Sequence, residues 1–222
     1  MDITYFGHAS FKIVSSSAID GKKPVVVTDP FDNKVGFKFP KVEADIVTIS
    51  HDHFDHNNAS GVSNIRKLID GPGEYEVMGV SMIGISTFHD DKKGEDRGRN
   101  IIFIFEIEGM RVVHLGDLGH GLSEKQVNNL GDVDVLMIPV GGEYTIDSKQ
   151  AIEIVQSIEP KITIPMHYAM PGLSAELSKK LTSEEPFITH VGLPVEKASK
   201  LNIKKASLVE EKKVVLLERK GR

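Results

Sequence analysis

Short apolar runs bounded by turn residues dominate the pattern of this chain, and they predict a fold that is rich in β-strands. The predicted strands span residues 3–6, 11–14, 24–28, 46–49, 74–77, 80–88, 101–107, 111–115, 133–140, 162–166 and 214–218. The strands of the first half follow one another directly, whereas those of the second half alternate with helical segments.

Helix signals are concentrated in the second half. Ser123 with Gln126, and Asp147 with Gln150, have the spacing of a capping box. They predict helices over residues 123–130 and 147–158, and a third helix is expected over 174–181. This order of elements favours two packed sheets that are covered by helices on their outer faces. It argues against a single, wholly parallel, doubly wound sheet. We therefore predict an α+β fold and, since no linker composition divides the chain, a single domain over residues 1–222.

Composition narrows the class of protein. The chain has 40% hydrophobic and 27% charged residues, as an ordinary globular protein does, and it has no cysteine that could form a disulfide or a thiolate metal ligand. The net charge of −5 counts against a broad nucleic-acid interface. No apolar run approaches the roughly 20 residues that cross a membrane, and no signal-peptide pattern opens the chain. We therefore expect a cytoplasmic protein without membrane spans.

The most informative stretch, Ser-His-Asp-His-Phe-Asp-His, covers residues 50–56 and directly follows a buried strand. His51 and His53 are two residues apart, so both imidazoles point the same way in extended chain. Asp55 and His56 are adjacent, so their side chains diverge toward a second ion. Imidazoles with a carboxylate favour zinc and tolerate manganese or iron. A solvated polar loop is the alternative, and the crowding of ligand types argues against it.

Further ligand-type residues follow the ends of other predicted strands, namely His89, Asp117 and His167. Strands that finish at one edge of a sandwich bring their following loops together, so we expect all these side chains to meet. The predicted sets are His51, His53 and His89 for one ion and Asp55, His56 and His167 for the other, with Asp117 bridging both.

The order and spacing of these residues resemble the metallo-β-lactamase-fold hydrolase superfamily. The stretches at 7–11, 28–31, 114–120 and 165–168 are similar to the branch that includes ascorbate-6-phosphate lactonase. The resemblance covers essentially the whole chain and implies a four-layer αββα sandwich, with the metal site at one edge of the two sheets. Flavo-diiron proteins share this fold but have Glu where His53 stands, so the resemblance implies a hydrolase and not a redox protein.

The expected function is a metal-dependent hydrolase, with two ions that are zinc by preference. Zinc lowers the pKa of bound water from ~16 to ~7, which makes hydroxide available for attack. Asp55 is expected to orient this nucleophile or to accept its proton. The branch points to a small-molecule lactone or ester, with or without a phosphate group. The alternative functions are a phosphodiesterase or nuclease and a non-catalytic metal-binding protein. Formation of a homo-oligomer is left open.

Several residues beside the predicted ligands have two interpretations each. Asp29 ends a strand and is expected to accept the distal N–H of a ligand histidine, with a turn-forming Asp-Pro as the alternative. His8, in a Gly-flanked turn, is a candidate catalytic residue that donates a proton or contacts substrate; an ordinary turn histidine is the alternative. His120 has the same two interpretations, and His114 is expected to be structural. Tyr168 is either an oxyanion donor or a packed aromatic residue.

Two stretches are candidates for anion binding. Arg97 and Arg99 lie in the most polar segment, residues 90–99, which we expect to be a mobile surface loop. They are candidates for a phosphate clamp, although most charge runs are merely solvated. Backbone N–H groups at Gly141 and Gly142 are a weaker candidate.

Overall fold

The computed structural model describes residues 1–19, 21–208 and 211–220. The strands are β1 (Asp2–Gly7), β2 (Ser10–Val14), β3 (Val25–Thr28), β4 (Val42–Glu43), β5 (Ile46–Thr48), β6 (Val62–Ser63), β7 (Lys67–Ile69), β8 (Gly73–Val77), β9 (Val80–Phe88), β10 (Arg99–Ile107), β11 (Met110–His114), β12 (Val135–Pro139), β13 (Ile162–Met166), β14 (Val195–Ala198), β15 (Leu201–Asn202) and β16 (Lys213–Leu217). The α-helices are α1 (Glu124–Leu130), α2 (Ser148–Ile158), α3 (Ala175–Lys180) and α4 (Glu185–His190).

The strands form two large mixed sheets. The first has six strands in the order β15-β1-β2-β3-β5-β7, and the second has eight in the order β14-β16-β13-β12-β11-β10-β9-β8. Strands β3, β5 and β7 run parallel, as do β11, β12, β13 and β16, whereas hairpins join β1 to β2 and β8 through β11. The predicted combination of hairpins with strand–helix pairs is confirmed.

The main core lies between the two sheets. Phe11 and Ile46 from the first sheet belong to the same buried cluster as Phe103, Phe105 and Met137 from the second. All five side chains are fully buried, and burial of large apolar side chains is the dominant favourable term in folding. The two sheets are therefore held face to face as a sandwich.

Each sheet also has a covered outer face. Residues of α1, α2 and α4, such as Leu130, Ile154 and Phe187, cluster with the outer face of the second sheet. The outer face of the first sheet clusters with Phe31 of the long connection after β3 and with Leu177 of α3. The αββα class is confirmed, although the layer over the first sheet is mostly loop. Among the described residues, no helix has the length and apolar character needed to cross a membrane.

Local signals account for the elements that the sequence predicts. Both capping boxes are present, with Ser123 and Asp147 as the capping residues of α1 and α2. The short helix α4 and the short strands β4, β6, β7, β14 and β15 lie outside the prediction. Pro186 and the charged residues between 194 and 205 obscure any periodicity near α4, β14 and β15. Strands β5, β9, β11 and β13 are followed by the loops that carry the predicted ligands, and these loops meet at one edge of the sandwich.

Candidate metal centre

The loops at this edge bring all the predicted ligands into one cluster. Within each of three groups, the ligand atoms lie within 4.8 Å of one another: His51, His53 and His89; His8, Asp55, His56 and His167; and His51, His56 and Asp117. The first group is the set predicted for one ion. The second contains the set predicted for the other ion, with His8 added. The third group connects the two.

Asp117 lies at the middle of this cluster. Its Oδ2 is 3.1 Å from Nε2 of His167, 3.2 Å from Nε2 of His56 and 3.4 Å from Nε2 of His89. Nε2 of His51 is 3.9 Å away. One carboxylate oxygen therefore faces imidazoles from both predicted sets, which is the placement that a bridging ligand needs.

The cluster contains buried polar atoms that fit metal ions. Nε2 of His51, His56 and His167 and Oδ1 of Asp117 are buried, and none has a hydrogen-bond partner among the described residues. An unsatisfied buried polar group costs about 1–3 kcal/mol, so several at one point indicate a missing partner. Imidazole nitrogen and carboxylate oxygen are donors that suit zinc, manganese and iron. The residues present therefore fit divalent ions.

Asp29 fixes the orientation of two imidazoles in the cluster. His56 Nδ1 donates to Asp29 Oδ2 over 2.9 Å, and the Ser50 hydroxyl donates to the same oxygen over 2.6 Å. Because the Ser50 hydroxyl proton is used in this way, its oxygen accepts from His51 Nδ1, 3.0 Å away. Both imidazoles are left with Nε2 free to bind a metal. The expected hydrogen bond from a predicted ligand histidine to Asp29 is confirmed, and Ser50 links Asp29 to His51 as well.

We expect Asp29→Asn to weaken zinc binding by about ten- to a hundredfold, as loss of such an outer partner typically does. Asparagine tolerates the left-handed backbone at this position and keeps the shape, but it has one acceptor oxygen in place of two. It therefore cannot accept both the Ser50 N–H, which bonds to Oδ1, and the Ser50 hydroxyl and His56, which bond to Oδ2. Competition with a chromogenic chelator measures the affinity. Asp52→Asn, at an exposed carboxylate of the same ligand stretch, is the control. An unchanged affinity in Asp29→Asn would show that the carboxylate does not support the ligands.

Backbone strain is also concentrated here. His8, Asp29 and His167 have φ values of 56°, 40° and 53°, in the left-handed region that is costly for residues other than glycine. Such positions cost about 1–3 kcal/mol each and persist where the surroundings impose them, often at functional sites. The backbone N–H of His167 donates to the carbonyl of His8 over 2.8 Å, which joins the two strained turns.

His8 contacts Asp55 and does not line the open cavity beside the cluster. Its Nε2 lies 2.9 Å from Asp55 Oδ2. Burial, followed by repulsion from His167, lowers the pKa of His8 to about 4, so the imidazole is neutral at neutral pH and its Nε2–H donates. Burial alone would raise the pKa of Asp55, but His56 and His8 outweigh it, so the carboxylate stays ionised.

Protons and metal ions compete for the cluster. Burial lowers the pKa of His56, but the carboxylates of Asp117 and Asp55 outweigh this effect and raise it well above its ordinary value. Burial raises the pKa of Asp117, and the imidazoles of His167 and His56 reverse the sign and lower it strongly. Without a bound ion, the His56 imidazole therefore holds its extra proton at neutral pH. Metal binding has to displace this proton, so the affinity for metal falls as the pH falls.

Comparison with known proteins identifies the family. A family model described as "Beta-lactamase superfamily domain" matches residues 2–167. The chain belongs to this superfamily. A metal-dependent hydrolase from Methanopyrus kandleri is 30% identical over 200 residues, which cover 76% of this chain and 84% of that relative. The protein is accordingly a metal-dependent hydrolase of the metallo-β-lactamase superfamily.

Solved structures agree with this assignment. A structure from Thermotoga maritima, described as a Zn-dependent hydrolase of the metallo-beta-lactamase superfamily, is 40% identical, has a TM-score of 0.77 and is matched over 98% of both chains. Igni18, a metallo hydrolase from Ignicoccus hospitalis, is 22% identical with a TM-score of 0.65, over 98% of this chain and 95% of that one, and supports the fold alone. The branch that includes ascorbate-6-phosphate lactonase stays a prediction.

Two glycines of this hydrolase allow the ligand loops to approach closely. A Cβ at Gly119 would lie 2.3 Å from the backbone N of Asp90 and the carbonyl carbon of His89. A Cβ at Gly141 would lie 2.2 Å from the carbonyl oxygen of His167. Close packing behind His89 and His167 therefore explains both glycines. The anion-binding interpretation of the backbone at Gly141 and Gly142 stays a prediction.

The remaining histidines and Tyr168 have structural contacts. His114 is buried, with Nε2 2.8 Å from the carbonyl of Ala9 and Nδ1 accepting from the N–H of Gly116, so its structural role is confirmed. Both ring nitrogens of His120 bond to neighbouring backbone groups. Tyr168 is buried in the core beneath the outer helices, which favours the packed-aromatic interpretation.

A cavity of 610 Å³ opens beside the cluster. The predicted ligands that line it are His53, Asp55, His89 and Asp117. The rest of the wall includes Phe54, Tyr144 and Leu177, together with the cations Lys34, Arg97 and Lys180. Arg99 lies instead at a neighbouring cavity beside His51 and His53. Sequence reasoning singled out Arg97 but missed Lys34, Tyr144 and Lys180 as wall residues, because no local pattern marks them.

Proposed function

We propose that this hydrolase uses two divalent metal ions, zinc by preference, held in the two ligand sets with Asp117 between them. The observation that carries the proposal is the pair of ligand groups that share one central carboxylate, with buried nitrogens left unsatisfied. The first sheet supplies His51, His53, Asp55 and His56, and the second supplies His89, Asp117 and His167. Because both sheets are needed to build the site, we propose that residues 1–222 act as one domain.

The residues of the chain then have separate tasks. Bound divalent ions supply an activated water and polarise the oxygen of the scissile group. Asp55 lines the cavity and is ionised, so we assign it to orient the attacking water or to take its proton. His8 is buried and holds the Asp55 carboxylate through one hydrogen bond, so we assign it a positioning role.

The proposed substrate is a small molecule with a lactone or other carboxylic ester bond. A cavity of 610 Å³ has the size of a small-molecule site, since such pockets usually measure about 300–1,000 Å³. Apolar side chains, Phe54 and Leu177, line it together with charged ones. This composition suits an amphipathic substrate of modest size.

A substrate screen tests the proposal. The protein is stripped with a chelator, reloaded separately with zinc, manganese or ferrous iron, and assayed with a panel of lactones, 4-nitrophenyl esters and bis(4-nitrophenyl) phosphate. We expect ester or lactone hydrolysis that chelation removes and metal restores. Cleavage of the phosphodiester alone would instead indicate a phosphodiesterase. Inactivity of the metal-loaded protein on the whole panel would favour a non-catalytic metal-binding protein.

A further inference from the structure

Three cationic side chains converge on the cavity beside the metal cluster. Lys34 comes from the connection after β3, Arg97 from the β9–β10 connection and Lys180 from the last position of α3. Among the described residues none of the three lies within salt-bridge distance of a carboxylate, although Glu176 also lines the cavity and acts on Lys180 from a distance. Cations gathered from three separate elements repel one another, so an anionic ligand would relieve this repulsion.

Tyr144 organises two of these cations. The guanidinium carbon of Arg97 lies 5.6 Å from the centre of the Tyr144 ring, and Lys180 Nζ lies 5.1 Å from it. Both distances are within the range of cation–π attraction, which restrains the side chains without neutralising their charge. Interaction with Tyr144, and more weakly with Glu176 and Glu143, raises the pKa of Lys180, so the amine stays protonated.

The loop that carries Arg97 is held in place by Asp90. The buried Asp90 carboxylate accepts the backbone N–H of Arg97 over 2.8 Å and also those of Lys92, Gly94 and Asp96. At the base of the loop, the N–H of His89 donates to the carbonyl of Gly98 over 3.0 Å. The backbone of segment 90–99, which the sequence predicts to be a mobile loop, is thus anchored next to a predicted metal ligand, and the backbone of Arg97 is anchored with it.

We propose that Lys34, Arg97 and Lys180 form an anion subsite, and that the substrate of this hydrolase carries a carboxylate or phosphate group away from the scissile bond. This inference rests on the proposed function, since the metal cluster shares the same cavity. Phe54 and Leu177 add apolar surface to that cavity, so the substrate has an apolar section between its charged group and its ester.

The proposed subsite would bind an anion through charge-assisted hydrogen bonds, which are stronger than hydrogen bonds between neutral groups. Arg97 offers a planar fork of donors that matches a carboxylate or a phosphate, and Lys180 adds a second cation nearby. The proposed anion takes no part in bond cleavage, so its binding energy is expected to be expressed equally in the ground state and the transition state. Loss of a cation should therefore raise KM and leave kcat nearly unchanged.

Two matched esters test the inference. The zinc-loaded wild type is assayed with 4-nitrophenyl hemiglutarate, which ends in a carboxylate, and with 4-nitrophenyl pentanoate, which ends in a methyl group. We expect a preference for the hemiglutarate. In Arg97→Gln and Lys180→Met its KM should rise by about tenfold, while the constants for the pentanoate change less than about twofold. Lys125→Met, at an exposed lysine of α1, is the matched control.

Equal losses on both esters, or no preference in the wild type, would overturn the inference. A binding experiment separates this failure from failure of the proposed function. Metal-stripped wild type and both variants are titrated calorimetrically with glutarate and with phenyl phosphate, which also distinguishes the two kinds of anion. Weaker binding in the variants supports the subsite even if the protein hydrolyses neither ester. Equal binding in all proteins, or none in the wild type, rejects it whatever the activity.

Discussion

Replacement of Asp117 by alanine is expected to remove the bound metal ions and to lower turnover by at least about a thousandfold. Oδ2 of Asp117 lies 3.1 to 3.9 Å from the Nε2 atoms of four histidines that belong to both ligand sets. The substitution therefore takes one ligand from each ion. It also removes the carboxylate that offsets the positive charge gathered at the centre.

The measurement is metal content by elemental mass spectrometry after dialysis, with circular dichroism to check the fold. Asp52→Ala is the matched control, because Asp52 lies in the same ligand stretch but is exposed and belongs to none of the three ligand groups. We expect the control to retain metal and activity. An Asp117→Ala protein that keeps two ions and normal turnover would remove the bridging carboxylate from the proposed site.

Replacement of Asp55 by alanine is expected to abolish turnover with the fold intact. Asp55 is the ionised carboxylate that lines the cavity next to the predicted ligands, and His8 holds it at 2.9 Å. Loss of a positioned proton acceptor typically costs about 10²–10⁴-fold in rate, and loss of a metal ligand adds to this. Binding by the other ligand set, His51, His53 and His89, should leave at least one ion bound.

Steady-state rates on the best ester of the screen, with metal content of the same samples, test this expectation. Asp52→Ala again serves as the control. Full activity in Asp55→Ala would exclude the assigned role. A loss of metal in step with the loss of rate would show instead that Asp55 acts mainly as a ligand.

The ligand cluster was predictable because its information is local. Each ligand lies in the loop that follows a recognisable apolar strand, as His51 does after β5 and His167 after β13. Strands of a sandwich end at common edges, so knowing the strand ends is enough to bring these side chains together. The capping boxes at Ser123 and Asp147 were predictable for the same reason, since both partners lie within one turn of helix.

The cavity wall was not predictable, because its members come from segments that only the tertiary fold brings together. Lys34 and Lys180 lie on opposite sides of the ligand stretch in the chain, and neither is part of a pattern. The sequence leaves two interpretations of His8 open, a proton donor or substrate contact and an ordinary turn histidine. No local pattern shows that its turn is buried against Asp55. Polarity alone suggested a mobile segment at 90–99, whereas one buried carboxylate, Asp90, anchors it.

Crystallographic anomalous scattering at the zinc absorption edge shows directly whether two metal ions share Asp117. We expect two peaks per chain, about 3.5–4 Å apart, one beside His51, His53 and His89 and the other beside Asp55, His56 and His167. Asp117 should contact both peaks. A single peak in zinc-saturated crystals, or two peaks that do not share Asp117, would rule out the bridged pair of ions.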